Sequence, residues 1–314
     1  MQMKTFDAQV AMAYAVSQAS RINATVYRTQ YPAVRYRGLV PVDTTGPEWV
    51  KSVTYFSLDG VGAADWINAA SDDVPKAELT RGRMETTVHE AGIGYGWSLS
   101  ELGQAQLLGI DLNAQKGIAA RRAAEEMTDR VAFLGDASKG LTGMVNNPDV
   151  TVQDAAATGA GSSTEWEDKT PGQIMGDVNA LLTGVYTATA TTVVSDTLLL
   201  PPTRMHYIGT TTVSDNRETT ILEWLRENNV YTMETGQPLT IRAIRGLETA
   251  GDGGVARAMA YRNSEEVVKL NMPMPFRFFP VWQTGPFRFD VPGMFRIGGV
   301  DFLLPKEAIY LDGI

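Results

Sequence analysis

The sequence contains no cysteine, which excludes disulfides, thiolate metal sites and cysteine nucleophiles. Histidine is scarce: His89 and His206 are the only two, and they lie far apart in the chain. His89 and Glu90 are not followed by a second histidine at zinc-protease spacing, so a half-exposed strand histidine is the plain reading. No apolar run approaches the roughly 20 residues that a membrane-spanning helix needs. The opening residues Met1, Gln2, Met3 and Lys4 lack the regions of a secretory signal, so a soluble protein made in a cytoplasm, with no membrane partner, is expected. Positive charge is also short, with 27 Lys and Arg against 36 Asp and Glu and a net charge of -9. That balance disfavours gripping a phosphate backbone, which requires clustered cations that release counterions. An anionic wall is nonetheless compatible with enclosing DNA without adhering to it.

Catalytic signatures are missing as well. Gly96, Trp97, Ser98, Leu99 and Ser100 lack the closing glycine of a nucleophile elbow, which leaves Ser98 or Ser100 as a helix cap. Gly92, Gly94 and Gly96 lack the later glycine and the phosphate-binding helix of a dinucleotide loop, so irregular strand geometry is expected there. Asp72 and Asp73 do not fall at calcium-loop spacing and read as solvating charge. An enzyme or ligand-binding protein using Glu85, Glu90 or Asp136 is the remote alternative, without a converging motif to support it. No cofactor is expected, and no catalytic or metal-ligating residue is assigned.

What is present is a globular composition, 44% apolar and 20% charged over 314 residues. Asp7 to Gln18 reads as an Ala-rich helix, followed by an extended, Pro-containing arm through Pro32 and Pro41. Val50 to Leu58 is β-prone, and Arg83 to Ala91 alternates with a period of two, so the two runs are expected to pair as a long hairpin. The Gly- and Asp-rich passage Asp59 to Thr80 between them should project from the body.

The strongest periodic signal follows Asp111, a good N-cap. Ala120, Ala124, Met127, Val131 and Leu134 form one apolar stripe on a helix from about Asp111 to Leu134. On its other face, Arg121–Glu125 and Glu126–Arg130 are spaced to pair. Gly135 stops the helix, and Ala155 to Ser163 reads as a mobile surface loop. Thr170, Pro171 and Gln173 open a second helix running to about Thr187. Thr191 to Leu200 reads as a buried strand, and Asp215 as the cap of a third helix bearing Ile221, Leu222, Trp224 and Leu225. The last fifty residues are β-prone segments punctuated by prolines. Trp49, Trp66, Trp166 and Trp282 fall in expected arm, hairpin or loop, which makes them candidate contact anchors.

This order, together with Glu125, Glu126, Asp129, Arg130, Gly135, Gly140 and Leu141, resembles the Hong Kong ninety-seven type capsid fold of tailed bacteriophages. The stretch "DRVAFLGDASKGLTGMVNNP" is the best single match. "DTLLLPP", "ETTILEWLRENN", "NSEEVVKLNMPMPF" and "RIGGVDFLLPKEAIYLDGI" are similar to one capsid subfamily. The resemblance implies an α+β major capsid protein in five parts. These are an N-terminal arm (1–52), an extended β-hairpin or E-loop (53–91), a peripheral domain with the spine helix (92–169), an apical domain (170–260) and returning peripheral strands (261–314). It further implies self-assembly into pentamers and hexamers of an icosahedral head enclosing double-stranded DNA, with scaffold, portal and decoration proteins as further partners. An encapsulin-like nanocompartment shell is the nearer alternative. Candidate inter-subunit contacts are Trp49, Trp66, Lys76, Arg81, Arg83, Glu85, Arg121 and Arg122. Some members cross-link a hairpin lysine to a neighbour's asparagine; Lys76 is the only lysine in the projecting passage, and with no partner asparagine visible the cross-link is not expected.

Overall fold

A computed structural model describes residues 33–61, 78–101, 112–214 and 216–314. The expected helix at Asp7–Gln18, the cap at Asp111, the passage 62–77 and Asp215 lie outside the described residues. Val34–Ile314 is one structural unit.

Five strands form its central sheet, in the order Thr240–Ala243, Thr197–Leu200, Arg257–Tyr261, Ala308–Asp312, Thr151–Asp154. The middle three are buried along their whole length, as their near-continuous apolar sequences require of strands covered on both faces. Because side chains alternate, the register sorts them into two ladders. Leu199, Met259 and Tyr310 line one face, and Leu198, Ala260 and Ile309 line the other. The first face belongs to a core with the long helix and the C-terminal strands; the second belongs to a core with the helices of residues 171–227.

The long helix, Leu112–Leu134, buries Ala120, Ala124, Thr128, Val131, Ala132 and Phe133. The expected stripe packs on the first core at Ala120, Ala124, Met127 and Val131, Met127 partly buried, and Thr128 is buried beside it with its hydroxyl donating to the Ala124 carbonyl at 2.9 Å. Leu134 is 40% exposed and lies beside Gly246. Gly135 then turns left-handed at φ +68°, and Asp136 and Leu141 close the turn with two backbone hydrogen bonds.

Residues 34–43, within the segment expected to be an arm, pack into the body. Tyr36, Leu39 and Val40 are buried in the first core, and Val42–Asp43 runs parallel to strand Val268–Asn271. The charged face of the long helix draws this segment in. Asp129 accepts the backbone N–H groups of Arg35 and Tyr36 (2.7 and 2.9 Å), and Glu125 accepts from the Tyr36 hydroxyl and Arg37 (2.9 and 2.5 Å). Tyr261 fastens the far side, its hydroxyl donating to the Leu39 carbonyl at 2.6 Å.

The paired hairpin holds: Ser52–Val61 and Glu78–Thr87 run antiparallel through ten residue pairs. It ends at Thr87, however, because Val88 is buried and His89–Gly92 joins a different sheet against Gly293–Ile297. The next strand, Tyr95–Ser98, joins a third sheet against Arg288–Val291. Gly92 and Gly94 sit where the chain crosses between these sheets, and a Cβ on either would fall 2.7 Å from the backbone oxygens of Gly293 and Val291. The glycines allow this close backbone crossing, the irregular strand geometry expected from the sequence.

Helix Pro171–Ala188 starts as expected, the Gln173 side chain accepting from the Thr170 N–H at 2.8 Å. Two expectations are corrected around it. Trp166 is fully buried in the second core, since its indole N–H donates to Asp177 (3.1 Å) beside the buried Lys169–Asp177 ion pair (2.6 Å). Beyond the buried Ala155, whose N–H donates to the Asp312 carbonyl, residues 156–163 lie mostly at the surface as expected, with Gly159 N–H donating to the Ser163 carbonyl. The buried strand is only Thr197–Leu200. Beyond it, Pro202–Thr210 is an unforeseen helix, and helix Ile221–Glu227 is capped by Thr220 with Glu223.

Two glycines of the turn after the long helix make separable predictions. A Cβ on Gly143 would lie 2.4 Å from both Gly135 N and Phe133 O, whereas Gly140 at φ +66° has open space around it. Gly143→Ala should cost about 3 kcal/mol or more, and Gly140→Ala about 1–2 kcal/mol from left-handed strain alone, as read from urea unfolding midpoints.

Candidate assembly surface

Three platforms on the unit carry large apolar side chains that the described residues leave uncovered. The first is the short ribbon Trp282–Gly285 and Arg288–Val291, paired to Tyr95–Ser98, with Val281, Trp282, Phe287 and Leu99 all at least half exposed. Leu99 and Phe287 are neighbours through the Leu99 N–H to Phe287 carbonyl bond at 2.9 Å. Tyr95 anchors the ribbon edge-on against Phe278, with ring centroids 5.3 Å apart. Ser98 and Glu101 cap each other's backbone N–H groups at the end of this strand, as expected for Ser98. Between the ribbon and the glycine corner runs a groove of about 540 Å³, walled by Trp282, Arg288 and Asp290.

The second platform is the hairpin. Phe56 is 72% exposed and stands opposite Arg83, itself exposed and paired with Glu85 at 2.6 Å. The third is Trp49 at the hairpin's foot. Its loop is held by a bidentate Glu48–Arg277 pair (2.9 and 2.8 Å) and by Arg296 donating to the Glu48 carbonyl (2.9 Å). The Arg296 guanidinium lies 5.7 Å from the Trp49 ring, leaving that ring 60% exposed. An exposed tryptophan on a doubly pinned loop loses little further entropy when another surface covers it.

The sequence candidates thus divide. Trp49, Arg83 and Glu85 are exposed around the hairpin, and Arg121 is exposed on the long helix. Arg122 is half exposed and pairs with Glu126 at 3.3 Å, so the helix pairs expected at Arg121–Glu125 and Glu126–Arg130 are replaced by Arg122–Glu126 and Arg37–Glu125. The docked segment explains the change, because Arg37 arrives from outside the helix and takes Glu125. Trp66, Lys76 and the Arg81 side chain lie outside the described residues. Such exposed pairs contribute little to stability, about 0–1 kcal/mol each, which leaves the apolar groups as the main source of binding energy. Phe56, Phe287 and Met233, the last 83% exposed on helix Val230–Thr235, were missed. Phe56 was legible, since it falls on the opposite strand face from Tyr55.

The carboxylates of the enzyme alternative do not converge on one group. Glu85 pairs with Arg83, Glu90 lies 3.5 Å from Arg296, and Asp136 caps a turn at Ser138. The Asp136 carboxyl is held below its ordinary range, chiefly by the Ser138 hydroxyl.

Residues 62–314 match the family model described as "Major capsid protein". The chain is similar to the solved capsid of Myoviridae phage XM1, at 17% identity over 100% of both chains with a TM-score of 0.76. It is also similar to a structure from Microbacterium phage Oxtober96, at 12% identity and a TM-score of 0.63, covering 98% of this chain and 99% of the other. The capsid of a native GTA particle gives 11% identity, the same coverages and a TM-score of 0.63. A search of curated proteins found no match. At these identities the structural likeness establishes the fold.

The exposed ribbon gives a direct test. Trp282→Ser with Phe287→Ser should shift the unfolding free energy of the dissociated chain by no more than about 0.5 kcal/mol, while lowering the high-mass fraction in sedimentation velocity. An unchanged high-mass fraction would remove the ribbon from the assembly surface.

Proposed function

The chain belongs to the major capsid protein family and is a structural phage capsid protein, and we propose that its copies form the pentamers and hexamers of an icosahedral head around double-stranded DNA. The observation that carries this reading is the set of uncovered aromatic side chains on three separate platforms, Trp49, Phe56 and the Trp282–Phe287 ribbon. A monomer gains nothing from presenting them to water, whereas neighbours that bury them recover about 25 cal/mol per Å² of apolar area. An interface of standard size buries roughly 1,600 Å², and a subunit meeting several neighbours adds such contacts together.

The parts are assigned accordingly. Residues 1–52 tether a neighbour, although from residue 34 the chain is fixed to its own body. Residues 53–91 lie over an adjacent subunit. Residues 92–169 and 261–314 form the peripheral domain, and residues 170–260 cluster around the capsomer axes. The net charge of -9 suits a wall that confines DNA without binding it. Other copies of the chain are the principal partners; scaffold, portal and decoration proteins are further ones, and assembly occurs in the host cytoplasm. Among the described residues no helix is long and apolar enough to cross a membrane. An encapsulin-like compartment is not favoured, because the matching family and structures are those of phage and GTA capsids. The subunit works by buried surface rather than by catalysis, so no enzymatic activity is assigned to it.

Negative-stain microscopy of the expressed chain should show capsomers, tubes or shells; a small monodisperse monomer would contradict the reading. Deleting residues 60–78 should abolish closed shells while leaving the folded body intact, and unchanged shells would overturn the role given to the hairpin.

A further inference from the structure

Where the hairpin leaves the body, four side chains form a chain of hydrogen bonds with a fixed direction. The Tyr55 hydroxyl donates to Asn271 Oδ1 at 2.5 Å, Asn271 Nδ2 donates to Asp301 Oδ2 at 2.6 Å, and the Thr86 hydroxyl donates to Asp301 Oδ1 at 2.6 Å. Tyr55 and Thr86 come from the two strands of the hairpin; Asn271 and Asp301 come from neighbouring strands of the body. The direction is forced. An ionised Asp301 only accepts, so Asn271 must turn its amide nitrogen toward it, and the carbonyl that remains requires a donor at Tyr55. The Tyr55 hydroxyl is suited to that part, because burial first and then the charges of Asp301 and Asp43 push its pKa up to about 12.

The arrangement is costly for simple packing. Asp301 is 4% exposed, and burial lifts its carboxyl above the ordinary range, only partly countered by the bonds from Thr86 and Asn271. Lys269 stands opposite Asp301 on the adjacent strand but reaches Asp43, which also holds the Thr45 hydroxyl. A buried carboxylate is a poor way to gain stability and a good way to specify geometry.

Resting on the capsid reading above, we propose that Tyr55, Thr86, Asn271 and Asp301 form a clasp that sets the angle at which the hairpin leaves the body, and thereby whether copies close into shells of uniform size. The four are positioning residues. Charge-assisted bonds of this kind are roughly twice as strong as neutral ones and demand a particular orientation. At its foot the hairpin ladder is closed by the Val88 N–H to Lys51 carbonyl bond, which joins the two strands to each other, so the four side chains are what reach from both strands across to the body.

The test combines hydrogen exchange with microscopy on the full chain. Tyr55→Phe and Thr86→Val change only the hairpin side, so the body should fold normally, while amides at 52–56 and 82–87 should exchange roughly tenfold faster and particles should become uneven in size. Asp301→Asn replaces a double acceptor by an amide that must turn its nitrogen toward either Asn271 Nδ2 or the Thr86 hydroxyl, both of which donate to Asp301, and Asn271→Asp sets two carboxylates face to face, so each should loosen the hairpin further. The double exchange N271D with D301N rebuilds the donor–acceptor order with the same net charge and should return exchange to near the wild-type rate. Wild-type exchange in Y55F and T86V, or a double exchange no better than its single variants, would overturn the clasp. If wild type forms no particles but the exchange pattern holds, the clasp stands and the capsid reading falls. If wild type forms shells, and Y55F and T86V match it in exchange and shell size, the clasp falls and the capsid reading stands.

Discussion

One sheet covered on both faces governs the rest of this unit. Its three central strands have no solvent side, so every residue from Thr197 to Leu200, Arg257 to Tyr261 and Ala308 to Asp312 must be matched by something on one face or the other. The two ladders that result, one through Met259 and one through Ala260, oblige the chain to supply two separate cores. A one-residue slip of the register would exchange them. The pairing of Arg257 with Asp312 opposes such a slip. The two are register partners joined by a bidentate bond at 2.5 and 2.7 Å, with the guanidinium over the Tyr310 ring and donating to the Val145 carbonyl. A buried pair adds little net stability over an apolar replacement, but breaking it leaves an uncompensated charge in the interior, so it penalises misalignment.

From that wall the functional surface extends outward. Tyr310 and Tyr261 reach off the sheet to fasten residues 144–147 and 36–40, and burial raises the pKa of both hydroxyls, keeping them as donors. These ties steady the long helix and the strands beside it, and the hairpin and the ribbon with their exposed aromatics continue from the same unit. Rigidity in the body and exposure at its projections suit a subunit whose work is to be covered by its neighbours. Preorganised anchors bind with less ordering cost than mobile ones, which gives the pinned loop under Trp49 its importance.

Much of this was legible in the sequence because it rests on local chemistry. The hairpin strands alternate, the 171–188 helix opens with Thr170, Pro171 and Gln173, and Gly135 ends the long helix. What could not be read depends on contacts distant in sequence. Tyr36 looked like part of an arm because its partners, Asp129 and Glu125, are about ninety residues away. Trp166 looked exposed because the Lys169–Asp177 pair beside it becomes buried only when the helix packs. Leu134 fitted the stripe by spacing, yet the helix end is surrounded differently from its middle. The clasp at the hairpin root joins residues more than two hundred positions apart, and nothing local to Tyr55 or Thr86 announces it.

The central claim is that the uncovered aromatics of the projections become buried between copies of a rigid body. Cryo-electron microscopy of assembled particles at side-chain resolution measures this directly. The account predicts that Trp49, Phe56, Trp282 and Phe287 each lie against a neighbouring subunit, with the central sheet and its Arg257–Asp312 pair unchanged. Particles in which these side chains remain in solvent, or in which the sheet rearranges to make the contacts, would contradict it.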